Sequence, residues 1–575
     1  GQEYEFVRHI TAWLTIDSRI VSFLRGIIAS ADVAYYVLII AMCLVFTWFK
    51  LRSEKMTWRW WKKGAVYLGV FLVVVLLGYT TSRPALRMYA DGTEDKRNTL
   101  AVPSQEIMEK VEGKVKVTTY VNILHENSRY STPRSMSFEE ALWENYLRFH
   151  PKMELEFVYY YGNTQMKNQA AKVYLPSRGL DSTATLVSRI EGIDRSQVLT
   201  VEEAQMRLGD CVDLKAEDNP VVKIVEVPGK APEPLRLFND MQTLPSEVEI
   251  SAVFKGITEG YSQIVFYTGS GSQNLAPRNN DGYGAMFNMG PMRASFVNQG
   301  WKMREIATLA ELPDDTDVLV IANPTRDMPE EEFKRFTDYI DAGGNLFIMG
   351  DSENEEVMNR LLLPTGVQLA PGYLVEPHPN NEPLPHVAVS RVLQTATEVS
   401  PLFQGWGDVC VPMRMATAIG VDTSAHDFEF IPVMASAANS WLKTERVNLL
   451  DGPLVPDASL GEQAMPYVTV AALRRVVGDR EQRIAVTSDA EWLTNVGVST
   501  SYEGLRTNPG GLATTLMSWL SYEKYPVQLS RGNVNDFTLD FEEPDLPWVY
   551  YIYVWLLPGL IAVAGFMICY YRNKQ

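Results

Sequence analysis

Ser352 sits in MGDSEN (Met349 to Asn354), just after an apolar run, where an esterase nucleophile could stand. The segment lacks the GxSxG elbow that exposes such a serine to its histidine. Asp422 and His426 could supply the other two members of a hydrolytic triad, but no spacing ties them to Ser352. His378 and His386, with Glu376 and Glu382 nearby, are of types that bind metals. They lie in the Pro-rich stretch PHPNNEPLPH, a loop that would not preorganise a ligand set. The acidic run Glu353, Glu355 and Glu356 reads as the solvated first turn of a helix. TGSGSQN follows a short apolar run, and its small residues would let backbone N–H groups approach an anion. A tight turn between strand and helix needs the same glycines, and the motif is not a complete GxGxxG. Thr268, Gly269, Ser270, Gly271, Ser272 and Gln273 are therefore a candidate ligand or partner turn. No GxxxxGK[ST] occurs, so the loop and lysine that cradle nucleotide phosphates are missing and ATP hydrolysis belongs to a partner. Nothing reads as a cofactor site, a metal site or a catalytic residue set.

The elements that would carry these residues begin with three apolar spans, Val33–Phe49, Gly64–Thr80 and Trp548–Tyr571. Each is uncharged and close to the roughly 20 residues a helix needs to cross a bilayer core. Pro558 in the third span is tolerated where neighbouring groups satisfy the freed carbonyl. The connection between the first two spans carries Lys50, Arg52, Lys55, Arg59, Lys62 and Lys63 against Glu54 alone, and such a loop stays in the cytoplasm. Arg572 and Lys574 after the last span fit the same side, which puts the long region between the second and third spans outside. A formal net charge of -18 with no basic stripe argues against nucleic acid as a partner. Cys43 and Cys569 fall within spans; Cys211 and Cys410 lie far apart and leave a disulfide open, and no CxxC pair occurs.

Residues 1–32 predict two amphipathic helices on the outer membrane surface, with Phe6, Ile10, Trp13 and Leu14, then Ile20, Phe23, Leu24, Ile27 and Ile28, at helical spacing. The start at Gly1 reads as a piece of a longer or processed polypeptide. Residues 33–50 and 64–82 are the first two membrane helices, 51–63 the basic cytoplasmic loop, and 548–571 the third helix. In 83–240, a strand at Val115–Val121, a helix at Ser137–Phe149 capped by Ser137 and Glu140, and a strand at Leu155–Tyr160 predict a βαβ unit in a small, thioredoxin-like α/β domain. In 241–547, apolar strands at Ile264–Tyr267, Asp317–Asn323, Leu346–Met349 and Arg483–Thr487 alternate with helices. That pattern predicts a doubly wound, mostly parallel sheet with an insertion at about 363–466. The clearest helix is DMPEEEFKRFTDYIDAGG, with acids in its first turn, Phe333, Phe336 and Ile340 as its buried stripe, and Gly343 and Gly344 as its stop.

Together these pieces resemble the auxiliary component of ABC-2 type transporters typified by the gliding-motility GldG protein. The resemblance rests on ALRMYADGTEDKRNTLA after the second span, TGSGSQN, VLVIANPTRDMPEEEFKRFTDYIDAGGNLFIMGD, RIAVTSDAEWLTN, and the closing span WLLPGLIAVAGFMICYYRNK, over about residues 64 to 575. The chain departs from the family's GHGE at the first turn, where Ser270 and Ser272 replace the His and Glu. Residues 1–50 resemble the end of a GldF-like permease, so the chain looks like a permease fused to its auxiliary subunit. The resemblance implies a non-catalytic, multi-pass subunit of the bacterial inner membrane. Its large periplasmic body, of an amidotransferase-like fold without the catalytic cysteine, would bind or guide a substrate or partner proteins. The implied partners are a cytoplasmic ABC ATPase, permease helices of the same or a second copy, the lipid bilayer and periplasmic envelope proteins. Two rivals stay open: a membrane-tethered periplasmic hydrolase using Ser352, and an envelope scaffold.

Overall fold

The structure, a computed structural model, describes residues 20, 23–24, 26–81, 88–93, 96–150, 152–217, 221–276, 279–379, 383–422, 427–445, 454–529 and 546–574. The chain divides into two units, Gly1–Ala101 with Ser530–Gln575, and Val102–Leu529.

The first unit holds three helices long and apolar enough to span a membrane: Ser30–Ser53 (α1), Trp60–Thr81 (α2) and Pro547–Tyr571, with mean hydropathy 2.0, 2.0 and 2.2. α1 and α2 pack on each other, Tyr35 and Val74 being buried among Ile39, Met42 and Val75. Tyr67 meets both Phe46 and Phe49 edge-on at 5.1 Å. In the third helix, Tyr551–Leu556 widens into a π-helical turn just before Pro558. The wider turn re-spaces the carbonyls where the proline ring and its missing N–H would break an α-helical bond.

Ile27 and Ile28, read from sequence as part of a helical stripe, instead form the strand Ile27–Ala29 (β1), antiparallel to Tyr89–Asp91 (β2). Gly26 at φ 83° ends the helical course, and the β-branched pair after it suits a strand. Most of the predicted N-terminal hairpin lies outside the described residues. After β2, the Asp91 carboxylate gathers the backbone N–H of Thr93 (3.0 Å) and Asn98 (2.8 Å) and the Thr99 hydroxyl (3.0 Å). Burial pushes the Asp91 pKa up, but these hydrogen bonds outweigh it and hold it at about 2.

In the second unit, the strands Lys116–Asn122 (β3), Glu154–Tyr161 (β4), Leu199–Thr200 (β5), Val222–Glu226 (β6) and Glu233–Arg236 (β7) form one sheet in the order β5-β4-β3-β6-β7. β3, β4 and β5 run parallel, whereas β6 and β7 join antiparallel. The helix between β3 and β4, Met136–Phe149, starts before Ser137. The capping box lies one turn earlier, between Thr132 and Ser135. Capping by Ser137 and Glu140 rests on side chains outside those described.

The larger sheet begins with Ser262–Tyr267 (β8), Trp301–Ile306 (β9), Val318–Ala322 (β10) and Asn345–Met349 (β11). Val367–Leu369 (β12) and Tyr373–Val375 (β13) pair outside it, with Ile419–Val421 and Trp441–Lys443 respectively. Val387–Val392 (β14), Cys410–Arg414 (β15), Glu429–Ala435 (β17, after β16 at Ile419–Val421), Val468–Val477 (β19, after β18 at Trp441–Lys443) and Arg480–Thr487 (β20) complete it. The nine strands lie in the order β15-β14-β17-β19-β20-β11-β10-β8-β9. From β9 to β20 the neighbours are parallel, with Met349 of β11 opposite Thr487 of β20. From β20 to β15 they are antiparallel. The sheet is thus mixed, not mostly parallel, because residues 363–466 supply β14, β15 and β17 to one side of it. The helix Glu330–Asp341 buries Phe336 and Ile340 against this sheet, with Phe333 partly covered. Gly343 at φ 84° ends it where a Cβ would press on Val477 at 3.2 Å.

Candidate functional site

The parallel strands all end at one edge, where a doubly wound sheet places its ligands. β8 lies between β9 and β10, so the chain leaves it first to one side and then to the other, and the crevice past Tyr267 and Ala322 is the reversal point. TGSGSQN fills it. Ser270 (φ 54°) and Gly271 (φ 76°) turn the chain back, and Ser270 O accepts from the N–H of Thr325 (3.2 Å) and Arg326 (3.0 Å). Gln273 N–H donates to Ala322 O at 2.9 Å, so the turns after β8 and β10 are knitted together. A Cβ on Gly269 would meet the Tyr267 ring at 2.4 Å, and one on Gly271 the Thr325 hydroxyl at 2.1 Å. The glycines serve this close approach.

The side chains of the turn are engaged in the same way. Thr268 donates to Ile306 O (3.1 Å), Ser270 and Tyr267 share a hydrogen bond (3.2 Å), and Gln273 Oε1 accepts from the Tyr283 hydroxyl (2.5 Å). Ser272 Oγ is buried without a partner. Beside the turn, Pro324, Arg326, Asp327, Met328, Phe333, Val357, Arg360 and Leu361 line a cavity of about 10 Å³, room for a single water.

Next along the edge, Asp351 and Asp489 each stand two residues beyond the register pair Met349 and Thr487. Asp351 is 8% exposed and accepts from Glu353 N–H (2.8 Å) and Asn323 Nδ2 (3.3 Å). Asn323, at φ 46°, accepts in turn from Asn354 Nδ2 at 2.7 Å. Burial raises the Asp351 pKa to about 6, opposed by the Glu353 N–H and helped by the charges of Glu491 and Glu353. Asp489 is 1% exposed, takes the Glu491 N–H on Oδ1 (2.7 Å) and has no partner on Oδ2. Burial, with Asp351 and Glu491 adding to it, pushes its pKa well above the carboxylate range. Both carboxyls are thus held above the ordinary carboxylate range, Asp351 at about 6. The sequence reading missed this pair. Its signal was an acid two positions past each of two apolar strands, in LFIMGD and IAVTSD.

The other candidates do not converge. Ser352 is half-exposed in the short turn Ser352–Asn354, and among the described residues no hydrogen bond joins it to a histidine. His426 lies outside the described residues. Glu376 is buried and binds the N–H groups of Val389 (3.1 Å) and Ala437 (3.2 Å), with His378 Nδ1 at 3.8 Å. His378 Nε2 faces Val387 O at 2.9 Å, and Glu382 lies outside the described residues. His386 Nδ1 is buried and unpartnered, its pKa lowered by burial and by Arg414. Among the described residues no three His, Cys, Asp or Glu side chains gather as a metal ion requires. Cys211 and Cys410 are separate thiols. The cations Lys50, Arg52, Lys55, Arg59, Lys62 and Lys63 cluster at the α1–α2 connection. The last helix runs to Lys574, and the side chains of Arg572 and Lys574 are not among those described.

A second polar cluster, also missed from sequence, ties the small sheet to its helix. Lys223 of β6 and Glu139 of Met136–Phe149 form an ion pair with side chains 0% and 1% exposed. Ser131 donates to the same Glu139 oxygen, and the other is buried without a partner. Burial lowers the Lys223 pKa against the pull of Glu139.

Residues 294–511, from the approach to β9 into the helix Pro509–Leu520, match the family model ABC_transp_aux, described as an ABC-type uncharacterized transport system. The match supports an auxiliary component of an ABC transport system. The chain also holds three helices long and apolar enough to span a membrane. No curated protein matches the chain. Among solved structures, the N-terminal domain of mmIFT52 is 13% identical, covering 45% of this chain and 97% of its own, with a TM-score of 0.32. A ThuA-like protein from Parabacteroides merdae is 12% identical over 44% of this chain and 98% of its own, with a TM-score of 0.22. The exo-β-1,4-mannosidase from Opitutaceae bacterium strain TAV5 is 10% identical over 66% of this chain and 53% of its own, also at 0.22. Scores this low carry no argument about fold or function.

Proposed function

We propose that this chain is a non-catalytic membrane subunit of an ABC-2 type transporter of the gliding-motility kind, an auxiliary subunit fused after the end of a permease. Its large body, in two α/β domains over about 83–240 and 241–547, lies on the periplasmic side of the bacterial inner membrane and binds or guides a substrate or partner proteins. A separate cytoplasmic ATPase supplies the energy. The observation that carries this reading is the transport-family match on a polypeptide that also holds three membrane-length helices. The order β5-β4-β3-β6-β7 is compatible with a thioredoxin-like small domain, and the parallel half of the large sheet with an amidotransferase-like one. The knitted turn at Thr268–Gln273 is better suited to a rigid partner surface than to a ligand cradle. A Cβ at Gly69, Gly559 or Gly565 would meet nothing within 4 Å, so these helix faces can accept closely packed permease helices.

Purification of the full chain in mild detergent, followed by mass identification of the chains that come with it, tests the reading. An ABC ATPase in stoichiometric amount is the expected result. Purification of the chain alone, or function unchanged when the partner's ATPase is inactivated, would favour an envelope scaffold. Ester hydrolysis abolished by Ser352→Ala would favour a hydrolase.

A further inference from the structure

We infer that the tip of the α1–α2 hairpin is a binding surface for the phosphate headgroups of anionic phospholipids. The inference rests on α1 and α2 lying in a bilayer and not on the transport reading.

α1 ends at Ser53 and α2 begins at Trp60. Six basic residues and one acid occupy this turn. Glu54 is used by Lys50, at 3.6 Å, and Lys63 Nζ donates to Ser53 O at 2.6 Å. Arg52, Lys55, Arg59 and Lys62 are exposed, and among the described residues no carboxylate pairs with any of them. Two rest on indole rings, Arg52 over Trp48 at 5.1 Å and Lys62 over Trp61 at 5.5 Å. A cation held on a ring face keeps its outward N–H groups for an anion.

Depth selects the occupant. Trp48, Trp58, Trp60 and Trp61 are 57%, 46%, 84% and 51% exposed, as expected of rings that sit among headgroups. The residues Glu54–Arg59 must run out and back, so at about 3.5 Å per residue the tip reaches no more than about 10 Å past the helix ends. The headgroup layer is itself about 5–8 Å deep on each side. Arg52, Lys55, Arg59 and Lys62 each lie within two residues of a helix end and so stay at phosphate level, and their charge favours an anionic over a zwitterionic lipid by about fivefold per cation. A groove on a soluble protein would have to enter the headgroup layer to reach them.

The test uses the full chain in mild detergent with equimolar phosphatidylglycerol and phosphatidylethanolamine, with retained lipids counted by native mass spectrometry. The wild type should retain phosphatidylglycerol at least tenfold over phosphatidylethanolamine, and the preference should fall as salt is raised. The variant R52Q/K55Q/R59Q/K62Q should lose at least tenfold of that preference, while K172Q/K230Q keeps it. Equal retention of both lipids by the wild type, no salt dependence, or an undiminished preference in the quadruple variant would overturn the inference. Abolition of the preference by millimolar inorganic phosphate would also overturn it, in favour of a free anion. Because the quadruple variant can insert wrongly, a photocrosslinker at Thr57 in cells gives a separate reading. Lipid adducts support the inference, and adducts to a protein overturn it.

Discussion

Asp351 and Asp489 stand just past the ends of neighbouring strands, and their burial makes the folded state hold protons that the unfolded chain releases. For Asp351 the folded value of about 6 lies above the ordinary 3.8. The stability it contributes is therefore fully present below about pH 4 and is lost as pH rises through about 6, an effect of about 3 kcal/mol. Asp351→Asn should raise the thermal midpoint more at pH 7.5 than at pH 4.5, the difference being equivalent to about 2 kcal/mol. An equal effect at both values would show that the carboxyl's charge is not what matters. Lys223 and Glu139 pose the opposite problem, since each needs the other while buried. Lys223→Met should cost about 3–5 kcal/mol in urea unfolding followed by tryptophan fluorescence, and pairing it with Glu139→Leu should recover most of that. A double variant no better than the single would mean the pair is not coupled. Neither pair could be read from local pattern, because each joins residues whose proximity is set by strand order. Asp351 and Asp489 become neighbours only when β20, more than a hundred residues later, pairs with β11.

Elements with strong local signals were legible in the sequence. Glu330–Asp341 falls where its acidic first turn and terminal glycines put it, and β8, β10, β11 and β20 follow their apolar runs. Alternation of strands and helices also read correctly as α/β. The antiparallel half was not legible. β14, β15 and β17 are short runs in a Pro- and Gly-rich stretch, and nothing local distinguishes a strand that extends a distant sheet from one in a separate hairpin. The turn after β8 was legible as a turn, but its hydrogen bonds to Thr325 and Arg326 depend on β10 lying beside it. Gly271→Ala should strain that junction twice, through φ 76° and through the contact with Thr325, for about 1–3 kcal/mol. Hydrogen exchange would read it at the source, as faster exchange of the Thr325 and Arg326 amides with the amides of β19 unchanged. Uniform acceleration across the sheet would instead indicate a general loss of stability.

At the scale of the whole molecule, apolar helices at both ends of the chain bracket Val102–Leu529, whose cores are its own. Two helices followed by a long polar body and a third helix fix one consequence: both ends of that body must meet the same face of the membrane. In the proposed topology the basic α1–α2 connection, six cations against Glu54, lies in the cytoplasm and the body on the opposite face. Protease added to intact spheroplasts should then cut the body, with sites in the exposed stretch at Val455–Leu460 among the first, and leave the α1–α2 connection uncut until the cells are broken. Cysteine labelling checks the same point without proteolysis: Thr57→Cys should resist a membrane-impermeant maleimide in spheroplasts, whereas Lys230→Cys should react. Reversal of both patterns would put the body in the cytoplasm, on the same side as an ATPase. The chain would then have no periplasmic part to guide a substrate, and the proposed division of labour between this subunit and its ATPase would fall with it.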